Sequence, residues 1–449
     1  MCRAMKIAAL ILLSLAQLSI QSSKLRRDTL FGLPLDQPYF SRQQASQYPA
    51  SARDVYPQNY GSAPGYVQFP GYASGFGYPT GYAPPPVGNY DYAQREGPKP
   101  AGDVSPITFQ RYSTVDQIDA YLDYLKGRYP ELVDVQTIGQ SVEGRKIRVV
   151  KIQPRIAVKG PRPKILVDAG IHAREWIAPA VALYMINQLV ENNHLYKNLT
   201  ENLEWHIIPL LNPDGYAYSM TEDRMWRKNR ANTSNPQCPG VDLNRNFDIF
   251  FGGQGTSQDP CDETYTGAGP FSEPEARALR DYAMSLNHIR LYLTLHSYGQ
   301  YFLYPWGFGD SLPRDWKDLD KLGRIAQHAV QKVRGTKYRV GSSTRLLGVG
   351  CGGSDDYMKS KGAKYVYTVE MRGGGQQGFD LPESEMMPAI EESWEGLKSM
   401  AYFVLKEKIA AKKSGSRTLG EAERPSAGHL MKSYLKGQNS PYATRTRLE

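Results

Sequence analysis

From Ile107 onward the hydrophobic positions fall into two alternating patterns. Short apolar runs, Ile147–Ile152, Ile165–Asp168, Trp205–Leu211, Leu291–His296 and Tyr365–Glu370, are nearly continuous rather than alternating. Runs of that kind suit strands buried on both faces of a sheet. Between them lie stretches with helical spacing, near Pro179–Asn192, Glu273–Leu286, Trp316–Val333 and Glu385–Lys412. A first amphipathic helix is expected up to about Tyr129, with a capping box over Ser113–Asp116 at its start. Strands alternating with helices predict an α/β domain over 106–413, a mixed, mostly parallel twisted sheet with helices on both faces.

The pattern is absent elsewhere. Residues 23–105 hold ten tyrosines among Pro, Gly, Ser and Gln, with steps such as GYASGFGYPTGYAPPP, and leucine nearly disappears after Leu35. Such a segment buries too little surface to offset its ordering entropy, so disorder is expected. It reads as a linker or spacer, and the sharper expectation is association with an extracellular matrix through its phenols. Residues 414–449 read as a flexible basic tail.

At the other end, Arg3 and Lys6 precede an apolar run from Ile7 to Ile20, with small residues following. That layout predicts a secretory signal peptide over 1–22 and an extracellular protein, and the run is short of the roughly 20 residues a bilayer needs. Cysteine usage agrees with export: Cys238 and Cys261 bracket a Gly- and Asn-rich loop and are expected to pair, while Cys351 is left as a buried small hydrophobe. Two sequons, Asn198-Leu-Thr and Asn232-Thr-Ser, fit the same compartment. The net charge of +9 is scattered, which argues against nucleic acid as a partner, and nothing suggests an obligate oligomer.

Candidate chemistry gathers at strand ends. His172-Ala-Arg-Glu175 follows the strand KILVDAG, and a histidine and a glutamate three apart can aim at one point. Alone the pair is a weak signal. His296 and Glu370 each end a predicted strand, however, and the strand ends of an open α/β sheet form its ligand crevice. Two imidazoles and a carboxylate with an open fourth position make a catalytic zinc set. The clusters WRKNR, ending at Arg230, and VDLNRN, at 241–246, offer guanidinium and amide groups suited to an anionic substrate end.

HAREW, WRKNR, VDLNRNFD, LTLHSY, GGSDD and YTVEMR together, in this order, resemble the zinc carboxypeptidases of the A/B type over about 108–410. The resemblance implies one zinc ion on His172, Glu175 and His296, with Asp242 orienting His172. It implies Glu370 as general base, Arg230 stabilising the oxyanion, and Asn244 and Arg245 clamping the terminal carboxylate of a peptide or protein. Arg174 and Tyr298 would line subsites further along the peptide. An acid at Asp355 in the pocket implies removal of C-terminal Lys or Arg, whereas Asp356 looks structural.

Two departures stand against the family pattern. The mobile tyrosine that covers substrate is replaced by Gly348, from which weaker binding but surviving catalysis is expected. The Tyr/Pro/Gly-rich segment stands where the family carries a folded pro-domain, so ordinary zymogen latency is not expected. The alternative from another class is a catalytically weak or dead carboxypeptidase-like component of a matrix or coat.

Overall fold

The computed structural model describes residues 105–155 and 160–413. The expected signal peptide, all but the last residue of the Tyr-rich segment and the basic tail lie outside the described residues.

Eight strands form one sheet: β1 (Val133–Gln140), β2 (Lys146–Ile152), β3 (Lys164–Ala169), β4 (Glu204–Ile208), β5 (Ile289–Ser297), β6 (Tyr301–Tyr304), β7 (Arg339–Ser342) and β8 (Tyr365–Met371). Their order is β1-β2-β4-β3-β5-β8-β6-β7. The central four, β4-β3-β5-β8, are parallel, β6 and β7 form a further parallel pair, and β1, β2 and the β6–β8 junction are antiparallel. The mixed, mostly parallel sheet is therefore as expected.

The helices are α1 (Val115–Arg128), α2 (Ile177–Val190), α3 (Asn193–Asn202), α4 (Pro213–Thr221), α5 (Pro274–Ser285), α6 (Trp316–Arg334), α7 (Ser343–Leu347), α8 (Ser354–Ser360) and α9 (Glu383–Lys413). In α1 the capping box starts one residue later than expected, with Thr114 and Gln117 satisfying each other's backbone. Its buried Ile118, Tyr121, Leu122 and Leu125 follow the 3.6-residue period.

The side-chain period of two in the strands separates two cores. Ile165 and Val167 of β3 pack with residues of α1, α2, α6 and α9 on one face, and Leu166 packs with residues of α5 and α8 on the other. Helices cover both faces, which is why the central strands read as unbroken apolar runs. Two expectations are corrected. β4 stops at Ile208 because Pro209 has no N–H for the ladder, and the chain then hydrogen-bonds beyond β3 through Leu211 N–H to the Ala169 carbonyl. β1, β6 and β7 are additional; β1 lies at the sheet edge with several polar, solvent-facing positions, and β6 and β7 are only four residues each.

Candidate active site

β3 leads through α2 and α3 to β4 on one side, whereas β5 and β8 lie on the other, so the chain reverses direction across the sheet at the β3–β5 border. A crevice forms at such a switch point. Gly170 makes the exit from β3: its φ is +67°, and a Cβ there would come within 2.7 Å of Leu210 and 3.0 Å of Pro179. The turn carries His172 and Glu175 to the end of β5, where His296 waits.

The three groups converge. His172 Nδ1 lies 2.8 Å from Glu175 Oε1, His296 Nδ1 lies 2.9 Å from Glu175 Oε2, and the two Nδ1 atoms are 3.2 Å apart. All three side chains are buried. Asp242, itself fully buried, takes the opposite face of His172, with Oδ1 3.2 Å from Nε2. Its other oxygen accepts from Arg227 Nε and Nη2 at 3.1 and 2.9 Å. Burial opposes its charge, but Arg227 and then His172 outweigh it and hold Asp242 well below the usual carboxylate range. With a carboxylate at Nε2, the imidazole proton belongs there and the Nδ1 lone pair faces Glu175. One ligand atom from each of His172, Glu175 and His296 lies within 4.8 Å of the others, and two imidazoles with one carboxylate are a donor set that fits zinc.

Glu370 ends β8 in register with His296 on β5. Burial pushes its carboxyl up to about 8, with Glu175 and Asp355 adding to the rise and His296 and Arg227 opposing it. A carboxyl beside the His172–Glu175–His296 set whose hold on a proton is raised above the usual carboxylate range is suited to accept and return one.

The arginine beside this set is not Arg230. Arg227 Nη1 approaches His172 Nδ1 to 3.3 Å, while the Arg230 guanidinium stacks on Tyr218 at 3.7 Å and on Trp226 at 4.6 Å. The reason is long-range: Ala173 N–H bonds to the Arg227 carbonyl and pins that residue to the metal loop. Of the WRKNR cluster, the structure brings Arg227 rather than Arg230 up to the His172–Glu175–His296 set.

The remaining residues form the wall. Asn244 Oδ1 accepts from Ser354 N–H at 2.9 Å, which leaves its Nδ2 hydrogens as donors. Arg245 is held by Nε to the Gly255 carbonyl and by Nη1 to the Asn244 carbonyl. Asp355 opens α8, is 6% exposed, and accepts from Thr368 Oγ1 at 3.0 Å. Asp356 instead caps the backbone N–H groups of Gly307 and Phe308. On the outer rim Arg174 lies over Phe379 at 4.3 Å, and Tyr298 meets the same ring edge-on at 4.9 Å. Phe379 and Glu263, which binds Arg174 through both carboxylate oxygens at 2.7 and 3.1 Å, gave no signal in the sequence. Cys238 and Cys261 are joined. Cys351 is buried, and burial pushes its thiol up to about 11.

Residues 118–396, more than half of the chain, match the family described as zinc carboxypeptidase. The chain belongs to that family. Carboxypeptidase B of Astacus astacus is 45% identical over 65% of this chain and 97% of its own length. Mouse carboxypeptidase A2 is 38% identical, over 66% of this chain and 70% of its own. Among solved structures, bovine thrombin-activatable fibrinolysis inhibitor in complex with tick carboxypeptidase inhibitor aligns with a TM-score of 0.62 at 35% identity, covering 67% of this chain and 99% of that one. Carboxypeptidase A from Helicoverpa armigera aligns with a TM-score of 0.64 at 33% identity, covering 67% and 75%. The chain is thus a zinc metallocarboxypeptidase, a peptide hydrolase acting on C-termini. No helix among the described residues is long and apolar enough to cross a membrane.

Proposed function

We propose that this carboxypeptidase is secreted and removes single Lys or Arg residues from peptide and protein C-termini. The observation that carries the basic preference is Asp355. A carboxylate 6% exposed, hydrogen-bonded to Thr368 and in no ion pair with a lysine or arginine among the described residues, is costly unless a cation joins it. A substrate ammonium or guanidinium supplies one. Secretion is supported by the basic-then-apolar N-terminus and by the Cys238–Cys261 disulfide.

His172, Glu175 and His296 would hold the zinc, which when bound supplies Lewis acidity toward a carbonyl and makes water more acidic. Glu370 takes a proton from the attacking water and returns it to the leaving amine. Arg227 replaces Arg230 as the cation facing the developing oxyanion, since only the former reaches the metal set. Asn244 Nδ2 and Arg245 hold the terminal carboxylate, which makes the cut exopeptidic.

The test is to incubate the purified chain, with and without a zinc chelator, with matched peptides ending in Arg, Lys, Phe or Leu. Chelator-sensitive loss of one terminal Arg or Lys is expected. Release of Phe or Leu in preference would overturn the role given to Asp355. No cleavage with zinc bound would favour the catalytically dead, matrix-bound alternative.

A further inference from the structure

His172 has Asp242 behind it, and the structure supplies His296 with a counterpart by a different route. Asp168 of β3, Thr294 of β5 and Thr368 of β8 stand side by side in register across three parallel strands. His296 and Glu370 lie two residues further along β5 and β8, so the period of two puts them on the same face, directly above the threonines. The row beneath the active site is therefore polar, among central strands whose other buried positions are mostly apolar.

Its hydrogen bonds have a definite direction. Thr294 Oγ1 lies 3.0 Å from Asp168 Oδ1 and 3.1 Å from His296 Nε2. Asp168, Thr294 and His296 are all buried, so no solvent competes for these groups. An ionised carboxylate only accepts, and a threonine hydroxyl has one proton to give. Between a carboxylate and an imidazole, the Thr294 hydroxyl has one neighbour that can only accept, Asp168. The Thr294 proton is then committed to Asp168, and its oxygen can only accept from His296 Nε2–H.

We propose that Asp168, acting through Thr294, is the positioning residue that fixes His296 with its proton on Nε2 and its Nδ1 lone pair aimed at the metal. Without that pairing Nε2 is a buried donor with nothing to receive it, and the imidazole is free to turn or to carry its proton on the ligating nitrogen. Thr294 is thus a relay of orientation rather than a catalytic residue. The inference rests on the reading that His172, Glu175 and His296 hold zinc.

The test is zinc affinity, measured on the full chain by competition with a chromogenic chelator, alongside circular dichroism and thermal melting of the metal-free form. Thr294→Val keeps the shape and removes the hydroxyl, and should weaken zinc binding by about 10–100-fold. Thr294→Ser restores the hydroxyl and should bind within about twofold of the parent, which a purely steric role for the side chain would not require. If Thr294→Val does not fold, Asp168→Asn decides the matter: a carboxamide is the weaker acceptor, so a loss of about 3–10-fold supports the relay, and parent-like affinity overturns it. A folded Thr294→Val that holds zinc as tightly as the parent overturns the relay alone. A parent chain that holds no zinc overturns the metal reading and the relay with it.

Discussion

The metal end of the cleft and the wall that faces the substrate's last side chain are built in opposite ways. His296 and Glu370 sit on adjacent strands of the sheet centre, and His172 and Glu175 follow the third strand within one tight turn. Each imidazole has a hydrogen-bond partner behind it, Asp242 in one case and Thr294 in the other. The wall at 343–356 instead runs through two short helices joined by a glycine-containing loop. Gly348 ends α7 at φ +97°, and a Cβ there would meet nothing within 4 Å. The candidate metal set is thus anchored to strand ends, while the proposed recognition wall hangs on short helices and the loop between them.

That contrast gives tests of decreasing size. Glu370→Gln should lower kcat by about 10³–10⁴-fold with the zinc content unchanged, because only proton transfer is lost. A loss under tenfold in stopped assays would move the base elsewhere.

On the wall, Asp355→Leu should cost about 10²–10³-fold in kcat/KM for Arg ends and raise it for Leu ends. Equal loss on both would show that Asp355 supports the fold rather than the choice of substrate. Between the two regions, Arg227→Ala should cost about 10²–10³-fold in kcat. Arg230→Ala, which removes a cation stacked on Tyr218 and Trp226, should cost less than about tenfold. The reverse ranking would reinstate Arg230.

Stability predictions lie outside both regions. Glu275 is fully buried, and accepts from Asn229 Nδ2 and Val142 N–H. Burial raises its carboxyl from 4.5 to about 7. The folded state therefore keeps the Glu275 proton where the unfolded one has lost it, and the Glu275 contribution to stability falls as pH rises through that window. Denaturant titrations from pH 4.5 to 7.5 should show a decline that Glu275→Gln makes smaller by about 1–3 kcal/mol. A slope unaffected by the substitution would assign the decline to another group.

The smallest effect should come from Gly348→Tyr. The left-handed φ strains any L side chain, so the lid tyrosine should be restored in name only, with kcat/KM changing by less than about threefold. A large gain would mean that the loop rearranges readily.

What the sequence determined by itself were the features set by local pattern. Unbroken apolar runs marked β3, β5 and β8 because both faces of those strands are covered. Strand ends are where an α/β sheet binds ligands, so His172, Glu175, His296 and Glu370 followed from the same runs. The edge strand β1 and the four-residue β6 and β7 left too little pattern to see.

Only the tertiary structure decided which arginine approaches the His172–Glu175–His296 set, because that depends on a backbone bond from Ala173 to Arg227 across 54 residues. It alone placed Phe379 and Glu263 on the rim, and Asp168 behind Thr294. Each of these contacts joins residues far apart in the chain, and local periodicity carries no record of which distant segment a loop will meet.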